Sequence, residues 1–128
     1  MNHSIILFYN NKAIYTSDGT RIKPLFDLVK QFKDSEYKNC TLYDKVVGLA
    51  AARLIVYSGI ISKVNARLLS KKAKDFLEQN DIPVEYDILT ERILNQDKTD
   101  SCPMEKAAEN RRNEEFYQYL EELFNRKA

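Results

Sequence analysis

The order of strand-like and helix-like segments limits the possible folds more than any other feature of this sequence. Two strand-forming runs, SIILFY and KAIYTS, flank Asn10-Asn11, and asparagine tolerates the positive φ that a two-residue hairpin turn requires. Helical and strand periodicities then alternate, which gives the order β-β-α-β-α-β-α-β-α-α. A hairpin followed by βα units predicts a mixed sheet of about five strands with helices on both faces, a three-layer α/β/α sandwich.

Capping and breaking residues predict where several of these segments begin. Pro24 suits the first turn of the helix KPLFDLVKQF, and Ser70 is a good cap for the helix KKAKDFLEQN. The run DKVVGLAAARLIVYSG, residues 44–59, reads as a helix capped by Asp44 and preceded by the short strand CTLY. A last helix is predicted over residues 113–126. We therefore interpret residues 1–128 as a single domain.

Composition narrows the classes of partner. The chain has 128 residues, 44% of them hydrophobic and 30% charged, with 20 Lys plus Arg against 19 Asp plus Glu. A net charge of +1 argues against nucleic-acid binding through bulk attraction to phosphates. One cluster of basic residues is more typical of a solvated helix face than of an anion site; it consists of Arg67, Lys71, Lys72 and Lys74.

Cellular location follows from the apolar runs and the cysteines. The longest apolar run near the start, IILFY, is too short to span a bilayer, and no secretory signal pattern precedes it. Cys40 and Cys102 form no CxxC pair and read as reduced thiols. The sequence thus predicts a cytoplasmic protein without membrane contact.

Cys102 occupies the capping position of a predicted helix, where Ser or Thr would be the better cap. In the run Cys102-Pro103-Met104-Glu105, proline stands at the first helical position and Glu105 at the third, as in a capping box. A thiol there experiences the positive end of the helix dipole, which favours the thiolate. One interpretation is a reactive cysteine with Glu105 as its acid/base partner; the other is a small weak cap with a routine capping glutamate.

A second candidate site lies at Asp44, Lys45 and Gly48. A carboxylate at the end of a strand, a lysine beside it and a run of small residues could form an anion or ligand cradle. The alternative is a capped helix with a slim packing face. A metal site is not predicted, because His3 is the only histidine and the usual zinc spacings are absent. No cofactor is indicated either.

The runs YDKVVGLAAA and ILNQDKTDSCPME together resemble a family known as domain of unknown function 1893, whose fold is similar to that of the cytidine deaminases. The resemblance implies that Asp44, Lys45, Gly48, Cys102 and Glu105 share one pocket, with Asn95 as a neighbour. Zinc deaminases require His-x-Glu and Pro-Cys-x-x-Cys at two helix starts. The chain has DKVVG and Cys-Pro instead, so zinc-dependent deamination is not expected.

These observations give one main hypothesis and two alternatives, and they leave open whether the protein is an enzyme. The first is a zinc-independent pocket for a nucleotide- or nucleobase-like molecule, with Cys102, Asp44 and Glu105 as catalytic candidates and Lys45, Gly48 and Asn95 as ligand contacts. The second is a non-catalytic binding or regulatory module. The third is an interaction subunit, whose C-terminal apolar stripe would pack on another copy; a homo-oligomer is compatible with all three. That stripe includes Phe116, Leu120 and Phe124.

Overall fold

The fold is an α/β fold built on one mixed sheet of five strands. The computed structural model describes residues 3–94 and 102–126. The strands are β1 Ile5–Tyr9, β2 Lys12–Ser17, β3 Cys40–Val47, β4 Ile61–Ser70 and β5 Val84–Thr90. The helices are α1 Lys23–Phe32, α2 Leu49–Ser58, α3 Lys71–Gln79, α4 Pro103–Glu109 and α5 Asn113–Arg126.

The sheet has the strand order β2-β1-β3-β4-β5. Strand β1 is antiparallel to both β2 and β3, whereas β3, β4 and β5 are mutually parallel. Strands β2 and β3 consequently run in the same direction, and their carboxyl ends meet at one edge of the sheet. The predicted mixed sheet is confirmed.

Several local signals have the structural consequences that their residue types predict. Asn10 and Asn11 have φ values of 50° and 64°, as a tight hairpin turn between right-twisted strands requires. The Ser70 hydroxyl accepts a hydrogen bond from the Ala73 amide at 3.1 Å and so caps α3. Gly59 ends α2 in the left-handed conformation. The predicted helix over residues 113–126 is confirmed as α5.

The five helices in the described part of the chain lie on the same face of the sheet. Helix α2 contacts each of the other four helices, which a helix on the opposite face could not do across an intervening layer. The connections β2-α1-β3, β3-α2-β4 and β4-α3-β5 all step in the same direction across the sheet, and such connections of one hand put their helices on one side. The expected coverage of both faces is therefore not found in the described residues.

The core fills the space between the helices and one face of the sheet. Leu7, Leu42 and Val64 on neighbouring strands are fully buried there. Helix α5 closes this core, because Phe116 and Leu120 are fully buried. The C-terminal stripe thus packs within its own chain, and the hypothesis that it is exposed for a partner is wrong.

The region after Cys40 differs from its predicted structure. The expected short strand extends to Val47, and the helix starts at Leu49 with Gly48 as N-cap instead of at Asp44. Strand pairing explains the difference, since Asp44 pairs with Ile5 on one side and with Ala66 on the other. The ladder on both sides outweighs the capping preference of the aspartate.

We expect Phe116→Ala to lower the free energy of unfolding by about 3–5 kcal/mol, the usual loss on truncating a buried aromatic ring. Chemical denaturation of the purified protein measures this loss of stability. The control is Glu114→Ala at an exposed neighbouring position, which is expected to change the free energy of unfolding by less than about 0.5 kcal/mol. Equal stability of the two variants would contradict the assignment of α5 to the core.

Candidate functional site

A cavity of about 770 Å³ opens at the carboxyl end of β3. The starts of α1, α2 and α4 surround it, and the end of α5 closes one side. Its walls are largely apolar, with contributions from Ile5, Pro24, Ala51, Met104, Leu123 and Phe124. A concave site of this size, apolar with a few polar groups, has the dimensions of a small-molecule pocket.

The cavity brings together the residues that the resemblance places in one pocket. Asp44, Lys45 and Gly48 border it from the end of β3, and Cys102 and Glu105 border it from the start of α4. Asn95 lies outside the described residues. The roles suggested for these side chains differ once their surroundings are considered.

Asp44 is the one carboxyl group of the cavity with a strongly perturbed acidity. Its Oδ1 accepts a hydrogen bond from the Val46 amide at 3.4 Å, and protein surrounds it on nearly all sides, although part of its surface faces the cavity. Burial raises the pKa of Asp44 to about 8, against the opposing effect of hydrogen bonds from the backbone of Val46 and Lys45. A carboxyl group with such a pKa can donate or accept a proton near neutral pH.

Glu105 has a different function from the one its sequence position predicts. Its two carboxylate oxygens accept hydrogen bonds from the amides of Leu49 and Ala50, each at 2.7 Å. Glu105 therefore caps α2, a different helix, at the terminus where a negative charge is favoured by the helix dipole. The expected capping box within α4 is not formed, since the Cys102 amide donates to the carbonyl of Ile93 at 2.9 Å.

The contact between Glu105 and α2 depends on Gly48. A Cβ atom at Gly48 would lie 2.1 Å from Oε1 of Glu105, a separation that non-bonded atoms do not reach. The φ of Gly48 is −106°, which any residue can adopt, so the lack of a side chain serves close approach. Desolvation raises the pKa of Glu105, while the hydrogen bonds from Ala50 and Leu49 oppose that rise.

Cys102 and Lys45 have weaker connections to the site. Cys102 is the N-cap of α4, is partly buried, and its side chain makes no capping hydrogen bond. Lys45 follows Asp44 in β3 and borders the cavity, and its amide donates a hydrogen bond to the carbonyl of Ser4 at 3.0 Å. The second cysteine, Cys40, is fully buried in the core and takes no part in the cavity.

The segment before α1 was missed by the sequence analysis. Asp18, Thr20 and Arg21 border the cavity, and Arg21 is exposed with a φ of 63°. The hairpin pattern in the sequence could have indicated this segment. Strand β1 is antiparallel to both of its neighbours, so β2 runs in the same direction as β3. Its carboxyl end then reaches the same edge of the sheet as that of β3.

Three of the four residues of the predicted basic cluster form ion pairs near the surface, as expected of a solvated face. Lys71 pairs with Glu91, Lys72 with Glu109 at 2.8 Å and Lys74 with Glu78 at 3.1 Å. Within residues 3–94 and 102–126, no group of three or more His, Cys, Asp or Glu side chains is placed to hold a metal ion. None of the helices in those ranges is long and apolar enough to cross a bilayer.

The fold and the site together define a class of protein: a single mixed sheet with helices on one face and a pocket at the carboxyl end of its third strand. The model of the family described as domain of unknown function 1893 (DUF1893) matches residues 1–124, and the chain belongs to that family. A crystal structure of a DUF1893 family protein, TM1506 from Thermotoga maritima, is similar with a TM-score of 0.83 and 25% sequence identity, covering 94% of this chain and 80% of that one. No curated protein matches the chain.

Proposed function

We propose that this protein binds a small, largely apolar molecule in the cavity at the end of β3, with Asp44 as the group that exchanges a proton with it. The observation that carries the proposal is the buried carboxyl of Asp44, whose pKa of about 8 makes it mostly neutral at pH 7. A neutral carboxyl presents one donor and one acceptor side by side.

The ligand class follows from this pairing and from the walls. The edge of a nucleobase carries adjacent donor and acceptor groups, which match a protonated carboxyl, and its ring faces suit apolar walls. Arg21 at the rim could contact a phosphate, which would extend the class to nucleotides. We therefore propose a nucleobase- or nucleotide-like ligand, in a fold related to that of the cytidine deaminases but without their zinc-binding residues.

The catalytic candidates take unequal roles in this proposal. Asp44 is the acid/base. Glu105 stabilises the pocket wall, because hydrogen bonds to α2 occupy both of its oxygens. Cys102 borders the cavity and is a candidate nucleophile only if its thiol proves more reactive than an ordinary one, for which the rate of alkylation as a function of pH is the measurement.

A thermal-shift screen of nucleobases, nucleosides and nucleotides, followed by titration calorimetry of any hit, tests the proposal. We expect a ligand at about 100 times its Kd to stabilise the protein by about 2.7 kcal/mol. Asp44→Asn should weaken that ligand at least tenfold, because the amide cannot exchange a proton and fixes which atom donates. The matched variant Cys102→Ser should bind within about threefold of the wild type if the thiol only lines the wall.

The outcomes separate the alternatives. Chemical conversion of a hit, followed by NMR and lost in Asp44→Asn, would establish an enzyme. Binding without conversion would establish the non-catalytic module. A screen with no hit, or a hit that binds Asp44→Asn as tightly as the wild type, would contradict the proposed use of Asp44.

A further inference from the structure

Strand β5 forms one edge of the sheet and carries exposed apolar side chains. It stands last in the strand order, so among residues 3–94 and 102–126 only β4 pairs with it. Three of the six large apolar side chains that are exposed in those ranges lie in this strand of seven residues: Tyr86 at 40%, Ile88 at 52% and Leu89 at 37%. A long apolar edge strand is a template for pairing with another strand.

The backbone of β5 has hydrogen-bonding groups that point away from the sheet. The carbonyl of Pro83 accepts a hydrogen bond from the Val64 amide of β4 at 3.0 Å. The peptide groups of a strand point alternately to its two sides, so every second residue counted from Pro83 faces β4. Tyr86, Ile88 and Thr90 therefore direct their N–H and C=O groups outward, where a further strand can pair with them.

The side chains of β5 differ between the two faces of the sheet. Tyr86 pairs with the buried Ala66, so strand alternation places Tyr86 and Ile88 on the helix side. Glu85 and Asp87 alternate with them on the opposite side, and both are exposed. Like charges directly opposite each other across a strand pair are destabilising. The two acidic residues therefore limit the registers in which a second β5 can pair.

The other edge strand, β2, lacks these features. Its pairing with β1 is irregular between Leu7 and Phe8, and a bulge of this kind twists an edge away from further pairing. None of the exposed large apolar side chains in the described ranges lies in β2. The contrast favours β5 as the edge that pairs.

We propose that two copies of this chain pair antiparallel through β5, about a two-fold axis at Ile88, and so join their five-stranded sheets into one. Such a contact is symmetric, because the same groups serve on both copies. Ile88 then lies opposite the partner's Ile88, and Tyr86 opposite the partner's Thr90. Asp87 lies opposite the partner's Leu89. The outward N–H and C=O groups form about six hydrogen bonds between the copies. The pairing does not involve the cavity or its ligand.

Charge favours this register over its neighbours. An axis one residue earlier would oppose the two Asp87 carboxylates, and an axis one residue later would set Asp87 opposite the partner's Glu91. An axis at Tyr86 would set Glu85 opposite the partner's Asp87. With the axis at Ile88, no two acidic residues lie opposite each other within the paired strands.

The ends and the length of the paired segment predict a weak dimer. Glu85 lies opposite the partner's Glu91 just beyond the paired residues, but each has a lysine of its own copy beside it: Lys63 lies 3.5 Å from Glu85, and Lys71 pairs with Glu91. Five paired residues span about 17 Å, and the area they bury stays below about 1,200 Å², the range of weak interfaces. We expect a dissociation constant on the order of 100 μM.

Sedimentation velocity of the full chain from about 10 μM to about 1 mM tests the pairing, and the wild type is expected to change from monomer to dimer over this range. Ile88→Pro removes an outward N–H without removing a bond to β4, and it should raise the dissociation constant at least about tenfold. Thr16→Pro is the matched control on β2. The Ser17 carbonyl accepts a hydrogen bond from the Ser4 amide, so the N–H of Thr16 points outward, and its loss should change the dissociation constant by less than about twofold.

A charge-reversal pair tests the register without relying on a proline. Because Ile88 lies opposite its own copy on the axis, Ile88→Lys or Ile88→Glu alone sets like charges against each other, and each should raise the dissociation constant at least about tenfold. An equimolar mixture should recover dimers, since lysine then lies opposite glutamate. A wild type that stays monomeric to about 1 mM, equal effects of Ile88→Pro and Thr16→Pro, or no recovery in the mixture would overturn the proposal.

Discussion

Gly48→Ala is expected to destabilise the protein by about 3–5 kcal/mol. The new methyl group would lie 2.1 Å from Oε1 of Glu105, so the carboxylate must leave its position. It then loses two hydrogen bonds of 2.7 Å to the start of α2. Charge-assisted bonds of this kind contribute about 1.5–3 kcal/mol each, and alanine is also a poorer N-cap than glycine. Urea denaturation measures the loss.

A double-mutant cycle separates these two causes. In an Glu105→Ala background the space beside Gly48 is open, and Gly48→Ala should then cost only about 1 kcal/mol, the capping contribution. The difference between the two backgrounds is the coupling of Gly48 to Glu105, expected at about 2–4 kcal/mol. Additive effects would show that the glycine is required for another reason, and that Glu105 does not hold α2 as described.

Asp44→Asn is expected to stabilise the protein at alkaline pH and to remove much of the pH dependence of its stability. An unfolded aspartate has a pKa of about 3.9, whereas burial raises the pKa of Asp44 in the fold to about 8. Between these values the folded state binds more protons than the unfolded state, so the stability of the wild type falls as pH rises. The contribution of Asp44 to the free energy of unfolding is fully present below about pH 4 and is lost as the pH rises to about 8.

Urea denaturation at intervals from pH 5 to pH 9 measures this effect. The wild type should lose several kcal/mol relative to Asp44→Asn across that range. Asp18→Asn is the matched control, since Asp18 borders the same cavity but is exposed on the surface. Parallel stability curves for wild type and Asp44→Asn would contradict a raised pKa, and with it the proton exchange proposed for this residue.

Much of the secondary structure could be predicted because its signals are local. The Asn10-Asn11 turn, the Ser70 cap and the stop at Gly59 depend on residues adjacent in sequence, and each is found in the structure. The start of α2 could not be predicted in this way. Asp44 has the chemistry of a cap, and only its pairing with Ile5 and Ala66 keeps it in a strand.

The roles of the site residues likewise depend partly on local sequence and partly on contacts between distant segments. The spacing of Cys102, Pro103 and Glu105 favours a box within one helix, but the carboxylate of Glu105 reaches α2, more than fifty residues away in sequence. The spacing of residues within α4 does not show that this carboxylate gains free energy by accepting hydrogen bonds from the amides of another helix. Arg21 was missed for the same reason, because it joins the cavity only through the direction of β2 in the sheet.

The sequence by itself determined the mixed α/β class and most turns and caps, and its resemblance to the DUF1893 family implied that Asp44, Gly48, Cys102 and Glu105 lie in one region. The tertiary structure alone decided that the helices share one face, that the stripe of α5 is internal, and which carboxyl group is perturbed. The physical reason is that capping and periodicity act over a few residues, whereas desolvation and side-chain hydrogen bonding depend on which distant segments become neighbours.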